Sequence, residues 1–289
     1  MITSIKYLTY VLKTDIDSVE KIINNLDDYY ISWDKPKLDK DTNQPILKKD
    51  GSPKVRSLNS TKAQLKLIQK RIYKFLLSKT DLPEYLYGGV TGKDNVLNAK
   101  QHQGNKYIFT TDLKGYFPSI SHNQVFQLFL ELGCTPQVSR ILTQLTTYKY
   151  QVPQGVPTST LLANLIFIKT GNEILEFTNK HNIKFTIFVD DLTFSSKVDF
   201  KSNTSDILKI LTKNGYKISY QKTFYKTKNP IITGVVCQNN KLKLPNSFNK
   251  RLKKIQKLNN EFPEDINCKN KYRGLSLYKM KIRKINQKD

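Results

Sequence analysis

The stretch that most constrains the fold is Phe188-Val189-Asp190-Asp191, where two adjacent acids interrupt β-rich residues: Phe185-Thr186-Ile187 lead in and Leu192-Thr193-Phe194-Ser195-Ser196 lead out. An acidic pair between two such runs reads as a hairpin with carboxylates at its tip. A lone Asp-Asp pair is most simply a polar turn. Two further features reverse that reading. Asp112 ends its own strand-like run, Tyr107-Ile108-Phe109-Thr110-Thr111, and a Gln154-Gly155 turn lies between the acidic sites. Carboxylates on adjacent rigid strands offer the oxygen ligands that hard divalent cations take.

The charge balance says what such a site would act on. The 289 residues carry 48 Lys and Arg against 24 Asp and Glu, a formal charge of +24, which points to a polyanionic partner, most simply nucleic acid. The length suits one large domain or two to three closely packed subdomains. No apolar run approaches the roughly 20 residues of a membrane span, and Lys6, Lys13 and Asp15 interrupt the N-terminal stretch. No membrane association and a cytoplasmic location are therefore expected. Cys134, Cys237 and Cys268 are far apart and the three histidines are scattered, which fits neither a disulfide framework nor a zinc site.

Along the chain, Asp15 caps a predicted helix to about Tyr30. A polar stretch with Pro36, Pro45 and an Asp50-Gly51 turn leads to Ser52–Leu58, the second arm of a hairpin. Alternation puts Lys54 and Arg56 on one face, as a triphosphate clamp or as a solvated edge strand. Helix Thr61 to about Ser78 has Leu65, Ile68, Ile72 and Leu76 inside and a stripe of Lys62, Lys66, Lys70 and Lys74 outside, suited to phosphate contact. Gly88–Asp94 resembles a phosphate loop superficially, but the glycine spacing is one short and Asp94 stands where Ser or Thr is needed; a turn near the nucleotide is the remaining reading.

After Asp112 come two predicted helices, Ser121–Leu132 and Pro136–Tyr148, a longer one after Pro157 toward Leu175, and then the acidic hairpin. A helix at Asn203–Lys213 stops at Asn214-Gly215. Strands follow near Tyr216–Ser219, Ile231–Cys237 and Lys241–Leu244, which gives an alternating α/β body on one sheet. Two basic helices, Asn249–Asn260 and Lys271–Lys284, close the chain as a nucleic-acid-facing lobe.

Asp112 and Asp190, 78 positions apart, with Asp191 as a third carboxylate, fit a two-metal nucleotidyl transfer site. At this point the residues resemble a known family. Asp112-Leu113-Lys114-Gly115-Tyr116-Phe117-Pro118-Ser119-Ile120, Pro153-Gln154-Gly155-Val156-Pro157-Thr158-Ser159, Phe188-Val189-Asp190-Asp191 and Gly215-Tyr216-Lys217-Ile218 with Lys222-Thr223 resemble successive motifs of a reverse transcriptase. Asn98-Ala99-Lys100-Gln101-His102 and Ile232-Thr233-Gly234 resemble the NAxxH and VTG elements of the bacterial retron type. Phe188 stands for the usual tyrosine, Ile232 for the valine and Thr160 for the proline that often follows Ser159.

The resemblance implies an α/β (α+β) right-hand polymerase fold: fingers over 1–100, a palm over 101–244 with an inserted helical part at about 121–150, and a small helical thumb over 245–289. It implies two Mg2+ ions on Asp112, Asp190 and Asp191. Lys54, Arg56, Phe117, Gln154, Gly155 and Lys222 would bind the nucleotide, with Phe117 as the ring that excludes a 2′-hydroxyl, Gly155 allowing close backbone approach and Lys222 as a general acid. Asn98, His102, Thr233, Gly234, Arg251, Lys254 and Arg273 would contact a cognate noncoding RNA.

The activity so implied is RNA-directed synthesis of single-stranded DNA from dNTPs, primed by a guanosine 2′-hydroxyl to give branched RNA-DNA, in antiphage defence with an effector protein encoded nearby. Two alternatives stand beside it. One is an abortive-infection type of reverse transcriptase making untemplated or protein-primed DNA. The other is an inactive RNA-binding scaffold, against which three clustered acids argue through their mutual repulsion.

Overall fold

Side-chain caps fix where the first helices begin. Ser4 accepts the Tyr7 amide ahead of α1 (Ile5–Leu12), and Asp15 accepts the Ser18 amide ahead of α2 (Ile16–Asn24). The computed structural model describes residues 1–39, 44–48 and 50–287. The helix expected to run to Tyr30 breaks at Asn25, whose φ of −128° lies outside the helical region; a short α3 (Leu26–Tyr29) follows. Tyr30 already opens a strand, stacked at 4.0 Å on Tyr148.

Strands β1 (Tyr30–Pro36) and β2 (Val55–Thr61) pair antiparallel, from Tyr30 opposite Thr61 to Pro36 opposite Val55. β2 is the expected second arm, but it takes in Thr61, so helix α4 (Ala63–Leu77) starts two residues late. Leu65, Ile68, Ile72 and Leu76 of α4 are buried, and Lys62, Lys66, Lys70 and Lys74 are exposed, as the periodicity requires. Asp94 caps α5 (Asn95–Lys100) by accepting the Val96 and Leu97 amides, a structural task that explains its place after the glycines.

Next come β3 (Tyr107–Asp112), the short α6 (Tyr116–Ser119), α7 (His122–Glu131), α8 (Pro136–Thr146) and the long α9 (Ser159–Lys180). A capping box between Ser121 and Gln124 starts α7, and Pro136 starts α8. The hairpin is β4 (Lys184–Phe188) and β5 (Asp191–Ser196), followed by α10 (Thr204–Lys213), which ends at Asn214-Gly215 with φ of 85° at the glycine.

The strand expected at Tyr216–Ser219 is only a single bridge, Ile218 opposite Leu113, because the chain there crosses the end of β3 instead of running along it. A 3-10 turn (Tyr220–Lys222) then leads into β6 (Phe224–Lys226), a strand that the lysine-rich sequence conceals. The sheet order is β4-β5-β3-β6, all antiparallel.

The strand expected over Ile231–Cys237 is a hairpin, β7 (Ile231–Ile232) and β8 (Val235–Cys237), because Thr233 and Gly234 both take positive φ (45° and 87°), as a two-residue turn needs. With β9 (Leu242–Lys243) it forms a separate sheet. The single sheet anticipated from the sequence is therefore three.

That third sheet has its own small core, in which Ile232, Val235 and Leu242 meet Val96 and Ala99 of α5. The C-terminal pair α11 (Asn246–Glu261) and α12 (Ile266–Asn286) joins it through Ile282 and through Tyr278, whose hydroxyl accepts a 2.6 Å hydrogen bond from Asn95 Nδ2. Residues 288–289 of the expected thumb segment lie outside the described residues. Among the described residues no helix is long and apolar enough to cross a membrane.

Candidate active site

Strand register brings the acids together. Asp112, last in β3, lies opposite Asp191, first in β5, and the pair Phe188–Asp191 closes the hairpin so that Val189-Asp190 forms its tip. The Asp190 carbonyl accepts the Leu113 amide at 2.9 Å, and the Asp112 carbonyl accepts the Ser219 amide at 2.8 Å, so both acids sit on a bonded backbone. One carboxylate oxygen from each of the three lies within 4.8 Å of the others.

The electrostatics follow from that crowding. Burial and the Asp112 charge raise the pKa of Asp190, with the Lys222 and Arg56 charges pulling the other way. Burial and the charges of Asp190 and Asp112 push Asp191 up to about 7. Lys222 Nζ stands 2.5 Å from Asp112 Oδ2 and supplies one positive charge to three acids. An all-oxygen donor set whose members repel one another suits a hard divalent cation such as Mg2+.

The hairpin tip is itself held under strain. Val189 has φ of 61°, a left-handed conformation that β-branched residues avoid. Gly88 packs directly on it: a Cβ there would collide with the Val189 amide nitrogen and Cγ2 and come within 2.9 Å of the Phe188 carbonyl carbon. Asn164 Nδ2 in turn donates to the Gly88 carbonyl at 2.9 Å, and residues 85–87 flank the free edge of β4, where Ile187 N reaches Tyr85 O and Tyr87 N reaches Ile187 O, both at 2.8 Å. The turn expected near the nucleotide is thus a brace for the acid-bearing hairpin, a role that its spacing does not indicate. The Gly88-Gly89 pair after Tyr85-Leu86-Tyr87 was the available signal.

Of the residues expected at the nucleotide, Arg56 is near enough for its charge to act on Asp190, whereas Lys54 precedes β2 and its backbone is tied to Lys37 and Ile46. The Gln154-Gly155 turn docks on the same hairpin: the Gln154 carbonyl accepts the Asn59 amide at 2.8 Å, and a Cβ on Gly155, with φ of 112°, would lie 2.7 Å from the Asn59 carbonyl. The close backbone approach that Gly155 permits is therefore to β2. Phe117 is half-buried on α6, its ring 5.7 Å from that of Tyr116, whose hydroxyl is anchored on the Ala163 carbonyl.

A cavity of about 410 Å³ opens beside Asp191 and Lys222, with Thr233 and Gly234 in its wall. The placement corrects the expectation for Asn98 and His102 as RNA contacts. Both are fully buried, and His102 lies 2.7 Å from each of the Ser195 and Thr186 hydroxyls, knitting β4 and β5 together. Asn98 Nδ2 reaches the Thr233 hydroxyl at 3.4 Å, and that hydroxyl donates to the Asn95 carbonyl at 3.0 Å. The NAxxH and VTG-like elements clasp each other through the part-buried Thr233. Arg251, Lys254 and Arg273 are exposed on α11 and α12.

The family model for reverse transcriptase (RNA-dependent DNA polymerase) matches residues 46–243. The chain belongs to this family, and its relatives are of the bacterial retron type. It is 32% identical over 174 residues to the Retron Se72 reverse transcriptase of Salmonella heidelberg (strain 579083-10), covering 59% of this chain and 46% of that protein. It is 32% identical over 152 residues to the Retron Ec86 reverse transcriptase of Escherichia coli, covering 53% and 48% respectively. The match to the Retron Ec48 reverse transcriptase of Escherichia coli is 28% over 270 residues, 87% of this chain and 63% of that protein. The chain thus spans about half the length of the first two relatives.

Proposed function

We propose that this chain is an RNA-directed DNA polymerase of a retron, copying a structured noncoding RNA into single-stranded DNA from a guanosine 2′-hydroxyl, so that the product is branched RNA-DNA. It would act in the cytoplasm in antiphage defence, alongside an effector protein encoded nearby. The observation that carries the reading is the convergence of Asp112, Asp190 and Asp191 where β3 meets β5, in a chain of charge +24.

Two Mg2+ ions held mainly by Asp112 and Asp190, with Asp191 binding less directly, would lower the pKa of the attacking hydroxyl and offset charge on the departing pyrophosphate. Arg56 and Lys54 grip the triphosphate from the β1–β2 hairpin, which serves as part of the fingers over 1–100. Gln154 lies along the nucleotide, placed by its bond to β2 and by Gly155. Phe117 lies beneath the sugar and leaves no room for a 2′-hydroxyl. Lys222, beside Asp112, donates a proton to the pyrophosphate.

In the same reading residues 101–244 are the palm, with 121–150 as an inserted part of the fingers, and 245–289 are the thumb on the template-primer duplex. Thr233, Gly234, Arg251, Lys254 and Arg273 contact the RNA. The test is DNA synthesis by purified protein with its RNA, magnesium and deoxynucleotides, followed by nuclease mapping of the RNA-DNA junction. Wild type should make DNA joined to an internal guanosine and Asp190→Asn should make none; equal synthesis by the variant overturns the assignment.

A further inference from the structure

A second feature suited to nucleic acid lies on α1 and α4, sharing no residue with the cavity beside the aspartates. The two helices enclose an open groove of about 1130 Å³. Its floor is aromatic. Tyr10 is 77% exposed and stacks on Tyr7 at 6.2 Å with 20° between the planes, and Tyr7 meets Phe75 edge-on at 6.2 Å. Exposing a tyrosine to this degree in a stacked array leaves a flat π-face open to a ligand.

The rim of the groove is cationic. Lys13, Lys70, Lys74 and Lys79 line it, no carboxylate does, and among the described residues none of these four ammoniums lies within ion-pair distance of an acid. Lys70 and Lys74 are one turn apart, about 6 Å along the axis, and continue the exposed stripe begun by Lys62 and Lys66. The groove is built to a fixed geometry, since Arg71 reaches from α4 to the Leu12 carbonyl at 2.5 Å and the Lys13 carbonyl at 3.2 Å, locking the end of α1.

Aromatic faces between unpaired lysines are the pattern that binds single strands: bases stack on the rings while ammoniums meet the phosphates. A duplex hides its base faces and would use the lysines alone. Apart from the tyrosines, Ser78 is the one neutral hydroxyl in the lining, it donates to the Phe75 carbonyl at 2.8 Å, and no lining side chain carries a carboxylate or amide oxygen to accept from a ribose 2′-hydroxyl. We infer that the α1–α4 groove is a secondary site for single-stranded DNA, held by stacking on Tyr7 and Tyr10 and by the Lys13, Lys70, Lys74 and Lys79 rim. The chemistry fits the DNA strand that the proposed activity produces, yet the binding itself requires no catalysis.

The experiment therefore omits magnesium and deoxynucleotides, so that it is read independently of polymerase activity. A fluorescent oligothymidylate carrying 5-iodouracil is titrated into the full chain, crosslinked with light and mapped by mass spectrometry. Crosslinks to Tyr7 or Tyr10 are expected, with affinity weakened about tenfold by Tyr10→Ala, the order expected when one stacked base loses its platform, and restored by Tyr10→Phe. Lys70→Gln with Lys74→Gln should weaken binding and flatten its salt dependence. Crosslinks confined to other surfaces, a Tyr10→Ala affinity within twofold of wild type, or tighter binding of an oligouridylate or a duplex overturns the inference. A melting temperature for each variant separates lost binding from lost folding.

Discussion

His102 shows how a residue with the look of a ligand contact can belong to the scaffold. Burial, reinforced by the Lys184 charge, lowers its pKa to about 3, so it stays neutral between the Ser195 and Thr186 hydroxyls. In the unfolded chain the same ring takes a proton at about pH 6.5. The folded state therefore binds fewer protons between those values, and stability is complete above about pH 6.5 and is lost as pH falls toward 3. At about pH 5 the loss from this one group is about 2 kcal/mol. Urea unfolding at about pH 7.5 and about pH 5 should show it. His102→Gln, less stable at both values because one of two hydroxyl partners is lost, should show a smaller difference between them; an undiminished pH dependence would assign the acid sensitivity elsewhere.

At the scale of elements, the acidic hairpin depends on a segment that makes no regular strand. Residues 85–88 hold β4 by two backbone bonds and leave, at Gly88, only hydrogen-sized space beside Val189. Gly88→Ala must move the tip that carries Asp190. We expect a stability loss of about 1–3 kcal/mol, typical of overpacking, and a far larger loss of DNA synthesis. Thermal melting with a primer-extension assay separates the two, and unchanged synthesis would show that the tip tolerates displacement. Strong periodicity made much of the architecture legible in the sequence: the inner face of α4, the capped starts of α2 and α7, and the hairpin with its partner acid on β3 are where the residues indicate. What escaped was decided by contacts distant in sequence. β6 has three residues and exists because β3 offers an open edge, the Thr233-Gly234 turn is fixed by its clasp with α5, and the brace of Gly88 by Asn164 joins positions 76 residues apart. Arg56 was expected as a triphosphate clamp or an edge-strand cation; that its charge acts on Asp190 depends on the docking of β2 on the Gln154-Gly155 turn.

Across the whole molecule, charge is divided unevenly: three acids converge at one site in a chain whose net charge is +24. Much of that excess is on exposed helix faces, along α4 and along α11 and α12. Such surfaces attract phosphates and release counterions, so the RNA affinity that the proposed function requires should fall linearly with salt on logarithmic axes. The C-terminal helices are attached through the small core around Ile282 and through the ion pair of Lys281 with Asp94, and Arg251, Lys254 and Arg273 are exposed. If each neutralises one phosphate, replacing all three by Gln should make the salt slope shallower by about 2–3 units, since each phosphate contributes about 0.7–0.9. Filter binding of the RNA across a salt series measures this directly. An unchanged slope with unchanged affinity would remove these helices from the RNA interface and leave the cavity beside Asp191 and the α4 stripe to account for binding.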